Sequence, residues 1–324
     1  MVSSADNSSP TKLLAARGER EKGRMPILFV AGDATRRFLR ELLGPEFVRR
    51  FRQCFPRRIK DLRAVQELFR GRRGLEIGGP SYPLFGDKGL VPVYRVLGNL
   101  DNCLFSAETI FAGKVDEGAS KYSYHPLKPL GRQLICDATE LSAVDDASYE
   151  CVLASHCLEH IANPFRALHE WHRVMKTDGL LLLVLPHKDR TFDWRRPVTS
   201  LSHMIRDYEN HVGEDDVTHV PEVLALHDIS KDDYFAVRAE VFPQRCWENY
   251  LCRVLHHHVF DTATAVALID RAGYQIVLVE ACRPYNIVVI ARKQVAAVEN
   301  AVFLDPGSAC RARSPFPSDW RRLH

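Results

Sequence analysis

Apolar and polar positions alternate along this chain in two distinct ways, and the change from one to the other divides it into stretches. Between residues 73 and 186, short apolar runs alternate with segments of helical spacing. That pattern predicts parallel strands joined by crossover helices, hence an α/β fold. The runs are Leu75–Ile77, Val91–Leu97, Gln133–Cys136, Tyr149–Ala154 and the six-residue run Leu180–Leu185. Order returns at 259–293, with a helix expected near Asp261–Ala272 and strands near Gln275–Glu280 and Asn286–Ala291.

The remaining stretches read differently. Residues 1–24 lack a sustained apolar pattern and are expected to be a disordered tail. Residues 25–72 read as a helical N-terminal segment, with Asp33 capping a helix that carries Phe38, Leu39, Leu42 and Leu43. Its arginine-rich part, Arg49–Arg73, suits an exposed helical face. Residues 187–258 are polar and weakly patterned, an insertion after a sheet strand. The tail from 294 contains Pro306, Gly307, Pro315 and Pro317 and is expected to be loose. The main domain is thus expected over 73–293.

Composition narrows the function classes. A hydrophobic share of 46% supplies a core, yet no apolar run approaches the roughly 18 residues of a membrane span. A formal charge of +3 is too small to imply nucleic acid or an anionic membrane by itself. The nine cysteines are odd in number and form no CxxC pair, which points to a reducing, cytoplasmic setting rather than a disulfide framework or zinc ribbon.

Candidate chemistry gathers where strands end. Gly74-Leu75-Glu76-Ile77-Gly78-Gly79 is a strand running into a glycine turn, where bare backbone admits a ligand. Asp101 follows the 91–97 run at the distance that suits a carboxylate holding a ribose diol. Asp137-Ala138 follows the third strand and Ser155-His156 the fourth. Adjoining these are Cys157-Leu158-Glu159-His160-Ile161 and the segment Trp171 to Gly179 that leads into Leu180–Leu185 and Pro186.

As a set, these segments resemble the class I S-adenosylmethionine-dependent methyltransferases, especially the branch rich in small-molecule enzymes. The resemblance covers 73–186 well and 259–293 in outline. It implies a Rossmann-like, doubly wound, seven-stranded, mostly parallel sheet with an antiparallel last strand. It implies S-adenosyl-L-methionine as cofactor, with Glu76 orienting its amino-acid end, partly through the loop backbone, and Gly78 and Gly79 passing beneath it. Asp101 would hold the ribose hydroxyls, Asp137 the adenine amino group with Ala138 beside the ring, and Ser155 and His156 the methionine portion. The chain departs from the family pattern at Pro80, where a third flexible residue is usual. The lack of a full GxGxxG disfavours a nicotinamide site.

Methyl transfer is an in-line displacement in which alignment counts most, and a base is needed only for a protonated nucleophile. His156 and His160 are the candidates, four apart and on one face if their segment is helical. His256-His257-His258 is conspicuous, but neighbouring side chains diverge and no spaced His/Cys/carboxylate signature accompanies them, so no metal is expected. One of the three is expected to face the cleft, the others to be solvated or capping. Arg195 and Arg196 in the insertion offer a clamp for a carboxylate or phosphate. The expected activity is methylation of a small-molecule or saccharide-like acceptor, with nucleic acid and membrane disfavoured as partners. The alternative is a non-catalytic partner subunit of the same fold that keeps the cofactor site or its remnant.

Overall fold

The computed structural model describes residues 57–110, 112–232 and 239–321. The expected tail 1–24 and the helix after Asp33 lie outside the described residues. Of the 25–72 segment, one helix is described, α1 (Leu62–Phe69).

The central sheet begins with β1 (Arg73–Ile77), followed by a short helix α2 (Tyr82–Phe85) and β2 (Asn99–Leu104). A two-stranded ribbon, β3 (Glu108–Thr109) and β4 (Gly113–Lys114), precedes β5 (Gly118–Tyr122) and β6 (Gly131–Ile135). Then come β7 (Tyr149–Ser155), α3 (Pro164–Val174) and β8 (Met175–Pro186). The insertion folds into α4 (Leu201–Glu209), α5 (Val220–Leu226), α6 (Phe242–Trp247) and α7 (Asn249–Cys252). The domain closes with α8 (Thr262–Arg271), β9 (Gln275–Cys282) and β10 (Asn286–Arg292). Three short helices follow: α9 (Ala301–Leu304), α10 (Ala309–Ala312) and α11 (Pro317–Arg321).

The sheet has eight strands in the order β5-β6-β2-β1-β7-β8-β10-β9. Strands β6, β2, β1, β7 and β8 pair in parallel. The last strand, β10, lies antiparallel between β8 and β9. This is the mostly parallel, doubly wound plan with one addition, the antiparallel edge strand β5.

Alternation explains why the central strands are apolar throughout. Leu181, Leu183 and Leu185 join one buried cluster with Trp171 of α3 and Leu268 of α8. Leu180, Leu182 and Val184 join the other, with Phe69 of α1 and the 85–97 segment. Side chains of a strand point to opposite faces in turn, and both faces here are covered. Two helix starts are capped by side chains: Asn163 accepts from Arg166 N and Asp261 from Thr264 N.

Four expectations need correcting. Val91–Leu97 is not a strand. It is a turn-rich segment whose apolar side chains fill the core beneath β1, and the second strand begins only at Asn99. The insertion is not a bare loop, since Val220, Val223, Phe242, Cys246 and Leu255 give it a small core of its own. The tail beyond 294 is docked: Phe316 is buried, and Asp319 accepts from Thr262 N and Oγ1 at the start of α8. Finally, His156 and His160 share no helix face. His156 sits in a loop with φ of 48°, and His160 ends a single 3-10 turn, Leu158–His160.

Candidate active site

Strands β1, β2, β6 and β7 end side by side, and the residue after each lines one cavity of about 570 Å³: Gly78, Phe105, Cys136 and His156. Open α/β sheets bind ligands at this edge, and the volume lies in the usual range for small-molecule sites. Ala138, Ser155 and His160 also line it, with Arg253 from the insertion and Tyr285 and Asn286 from the start of β10.

The glycine turn is held from below. Glu76, fully buried, accepts from Tyr94 Oη at 2.7 Å, Tyr122 Oη at 2.5 Å and Ser81 N at 3.1 Å. Burial pushes its carboxyl up from the ordinary range, and these hydrogen bonds oppose that shift. Glu76 therefore does not line the cavity; it shapes the loop that does. Asn102 does the same from β2, accepting from Gly79 N at 3.0 Å and donating to Gly79 O at 3.2 Å. A Cβ on Gly79 would stand 2.4 Å from Glu76 Cδ, so only glycine fits there. Gly78 has φ of +79°, a conformation that favours glycine, and presents bare backbone to the cavity.

Asp101 is elsewhere. Because β2 starts at Asn99, Asp101 lies mid-strand and not at the carboxyl end, paired with Leu75 of β1. Its oxygens accept from Arg73 Nη2 at 3.0 Å, Tyr149 Oη at 2.9 Å and Arg132 N at 2.8 Å, and it is not among the cavity's walls. The end of β2 instead offers Leu104 and Phe105. Asp137 stands near the cavity but is occupied. Oδ1 accepts from Thr139 N and Oγ1, and Oδ2 takes Arg253 Nη2 at 2.8 Å. Burial would raise its pKa, but these partners hold it below the ordinary carboxylate value.

Arg253 was invisible in the sequence pattern. It bridges Asp137 and, at 2.7 Å, Glu214 of the insertion, and its guanidinium lies over the Phe105 ring at 5.0 Å. Burial, only partly offset by Arg253, raises Glu214 to about 7. Asn286 was also missed, because it comes from the far end of the chain. Its Oδ1 accepts from His156 Nε2 at 2.9 Å, and Tyr285 meets the His156 ring edge-on at 5.5 Å.

Burial lowers His156 to about 4, although the Asn286 bond favours its charged form. His160 is likewise held well below its ordinary value by burial first and then by His256. Both are therefore neutral at pH 7. Behind them sits Glu159, fully buried, raised to about 7 by burial, with Oε1 3.7 Å from His156 Nδ1.

The expected roles of the arginine pair and the histidine run are overturned. Arg196 is buried and already bound to Asp193, Glu222 and the carbonyls of His256 and His257. Arg195 is exposed, pairs with Asp228 and lies over Trp194. All three histidines of 256–258 are buried, and none lines the cavity. His256 pairs with Asp193 at 2.5 Å and backs the His160 ring at 4.5 Å; His257 pairs with Asn249 and His258 with Ala162 O.

Residues 108–183 match a family model described as a methyltransferase domain. No curated protein sequence matches the chain. Among solved structures, a SAM-dependent methyltransferase from Methanosarcina mazei is 16% identical, with 70% of this chain and 94% of that one covered and a TM-score of 0.36. A SAM-dependent methyltransferase from Aquifex aeolicus is 13% identical, with 81% and 100% covered and a TM-score of 0.37. The 1,6-didemethyltoxoflavin-N1-methyltransferase of Burkholderia thailandensis is 12% identical, with 85% and 93% covered and a TM-score of 0.37. Residues 108–183 thus match a methyltransferase domain, set in a sheet with the strand order of a doubly wound α/β fold. S-adenosylmethionine, the cofactor that the sequence resemblance implies, can be compared with the cavity's walls.

The walls fit that cofactor in one respect and depart in another. The bare backbone at Gly78 and the apolar sides formed by Leu104, Phe105, Cys136 and Ala138 suit a nucleoside and its methionine arm. No carboxylate lies among the cavity's described walls, so a ribose diol would have to rely on neutral groups and backbone.

Proposed function

We propose that this enzyme methylates a small acceptor bearing a hydroxyl or amine, including saccharide-like molecules, inside the cavity at the carboxyl edge of the sheet. The carrying observation is the convergence of Gly78, Ser155, His156 and Asn286 on that one cavity. When bound, the cofactor supplies an electrophilic methyl carbon. The rest is the work of this chain. Gly78 and Ser155 border the space for the cofactor's amino-acid arm. Ala138, whose carbonyl is fixed by Trp171 Nε1 at 3.0 Å, borders the space for the base. The walls at Ile161, Pro284 and Tyr285 exclude water from the reacting atoms. A cavity of about 570 Å³ that must hold cofactor and acceptor together favours a small acceptor.

His156 is the proposed proton acceptor. Its Nε2–H donates to Asn286 Oδ1, which makes Nδ1, 3.7 Å from Glu159 Oε1, the ring's proton-accepting nitrogen. His160, whose Nδ1 donates to Leu255 O, is the second candidate.

The test is calorimetric titration with S-adenosylmethionine and S-adenosylhomocysteine, followed by an acceptor panel read as S-adenosylhomocysteine release. Gly78→Val should abolish binding, because a branched side chain meets both a positive φ and the cavity. His156→Ala should bind cofactor normally and lose roughly 10²–10⁴ in turnover. Cofactor binding without turnover on any acceptor would support a non-catalytic subunit instead. No binding by folded wild-type protein would overturn the reading.

A further inference from the structure

Behind the 3-10 turn that carries His160, the insertion gathers four side chains that the methyl-transfer chemistry does not use. His203 and Asp207 lie one turn apart on α4, His219 precedes α5, and His258 precedes α8. One ligand atom from each lies within 4.8 Å of every other. His203 Nε2 is 3.2 Å from His219 Nε2 and 3.3 Å from Asp207 Oδ2, and His258 Nε2 is 3.8 Å from that same oxygen.

These separations have a chemical meaning. Two imidazole nitrogens facing each other at hydrogen-bond distance need either one proton between them or one cation. Ligand bonds of about 2.0–2.1 Å in tetrahedral geometry place neighbouring ligand atoms about 3.3 Å apart; the two His203 separations match this, and the 3.8 Å between His258 and Asp207 would close as a metal bound. Asp207 Oδ2 is buried and has no hydrogen-bond partner; His258 Nε2, fully buried, donates to Ala162 O at 3.1 Å, a bond that a metal would have to displace. A buried carboxylate oxygen without a donor is costly. A cation facing it removes that cost.

We infer that His203, Asp207, His219 and His258 bind one transition-metal ion, with zinc(II) the best match. Three imidazoles and one carboxylate suit zinc in ligand type, and four protein ligands close the site to substrate, as in structural zinc centres. The set joins two separate pieces of the insertion, α4 and the start of α5, to the segment whose His258 N donates to Glu159 O. The metal is thus a fastener that holds the insertion over the active-site turn. Asp216 and His257 flank it, 4.0 Å from each other and sharing His219 as neighbour.

The experiment is elemental analysis of the full chain grown with added zinc and dialysed against metal-free buffer, then cobalt(II) titration of protein stripped with a chelator. One zinc per chain and the visible absorption of tetrahedral cobalt are expected. Stripping should lower the thermal midpoint, and zinc should restore it. His219→Gln and Asp207→Asn should each lower the zinc content and cut cobalt affinity by roughly 10-fold or more while circular dichroism stays that of a folded α/β chain. Folded wild-type protein with only trace zinc and no tetrahedral cobalt band would overturn the inference. So would variants that bind cobalt as the wild type does.

Discussion

The sheet and the insertion are stabilised by opposite means. Around β7 and β8, burial is apolar: Val152, Leu153, Leu181, Leu182 and Leu183 are fully buried, and each meets other hydrocarbon. In the insertion and its 256–258 anchor, a small apolar core is joined by many buried charged and polar groups: Asp193, Arg196, Asn249 and His256 to His258. Hydrophobic burial is non-directional and tolerates small shifts. A buried ion-pair network holds only while every partner is present. The insertion should therefore fail locally and abruptly, the sheet globally and in proportion to the volume lost.

Three substitutions and a titration test that contrast. Arg196→Ala should have the largest effect. It leaves Asp193, Glu222 and two carbonyls without their donor, a loss of about 3–5 kcal/mol, read as new proteolytic cleavage and fast hydrogen exchange within 187–258. Equal destabilisation of β7 and β8 would erase the contrast. Leu182→Ala should cost about 2–5 kcal/mol and appear as a lower urea midpoint for the whole domain. Asn102→Ala, which frees the backbone of Gly79, should cost about 1–3 kcal/mol and weaken cofactor binding more than overall stability.

The smallest effect is a pH dependence on the sheet side. Burial first, then Lys293, lowers His172 of α3 to about 4. The folded state thus takes up this proton less readily than the unfolded chain, whose ordinary value is near 6.5. Stability from His172 is full above about pH 6.5 and declines as pH falls towards 4. His172→Gln should flatten the change in urea midpoint between pH 7 and pH 5; an unchanged slope would refute it.

This contrast also explains what the sequence made legible. The apolar strands β1, β7, β8 and β10 declared themselves, because a central strand buried on both faces is a continuous hydrophobic run. The cavity-lining Gly78, Ala138, Ser155, His156 and His160 were readable because they adjoin such runs. Strand β2 was misread for the converse reason. Its Asp101 and Asn102 are polar yet buried, made tolerable by Arg73, Tyr149, Gly79 and Gln133, partners 23 to 48 residues away. The neighbouring 91–97 segment has strand-like composition but is spent on turns. Periodicity does not see a partner, so Arg253, Asn286 and the scattered histidines of the insertion carried no signal.

The hydrogen bond between His156 and Asn286 joins residues 130 positions apart in the chain. Its consequence concerns time. Strand β10 enters between β8 and β9, strands already made when it leaves the ribosome. Until it does, the cavity lacks the wall formed by Tyr285 and Asn286, and His156 lacks the oxygen that fixes its proton on Nε2. A nascent chain that stops short of β10 would carry the glycine turn and most of the cavity rim, yet its imidazole would be free to rotate and its cavity open to water. The cavity is thus walled only after every other strand of the sheet has been made.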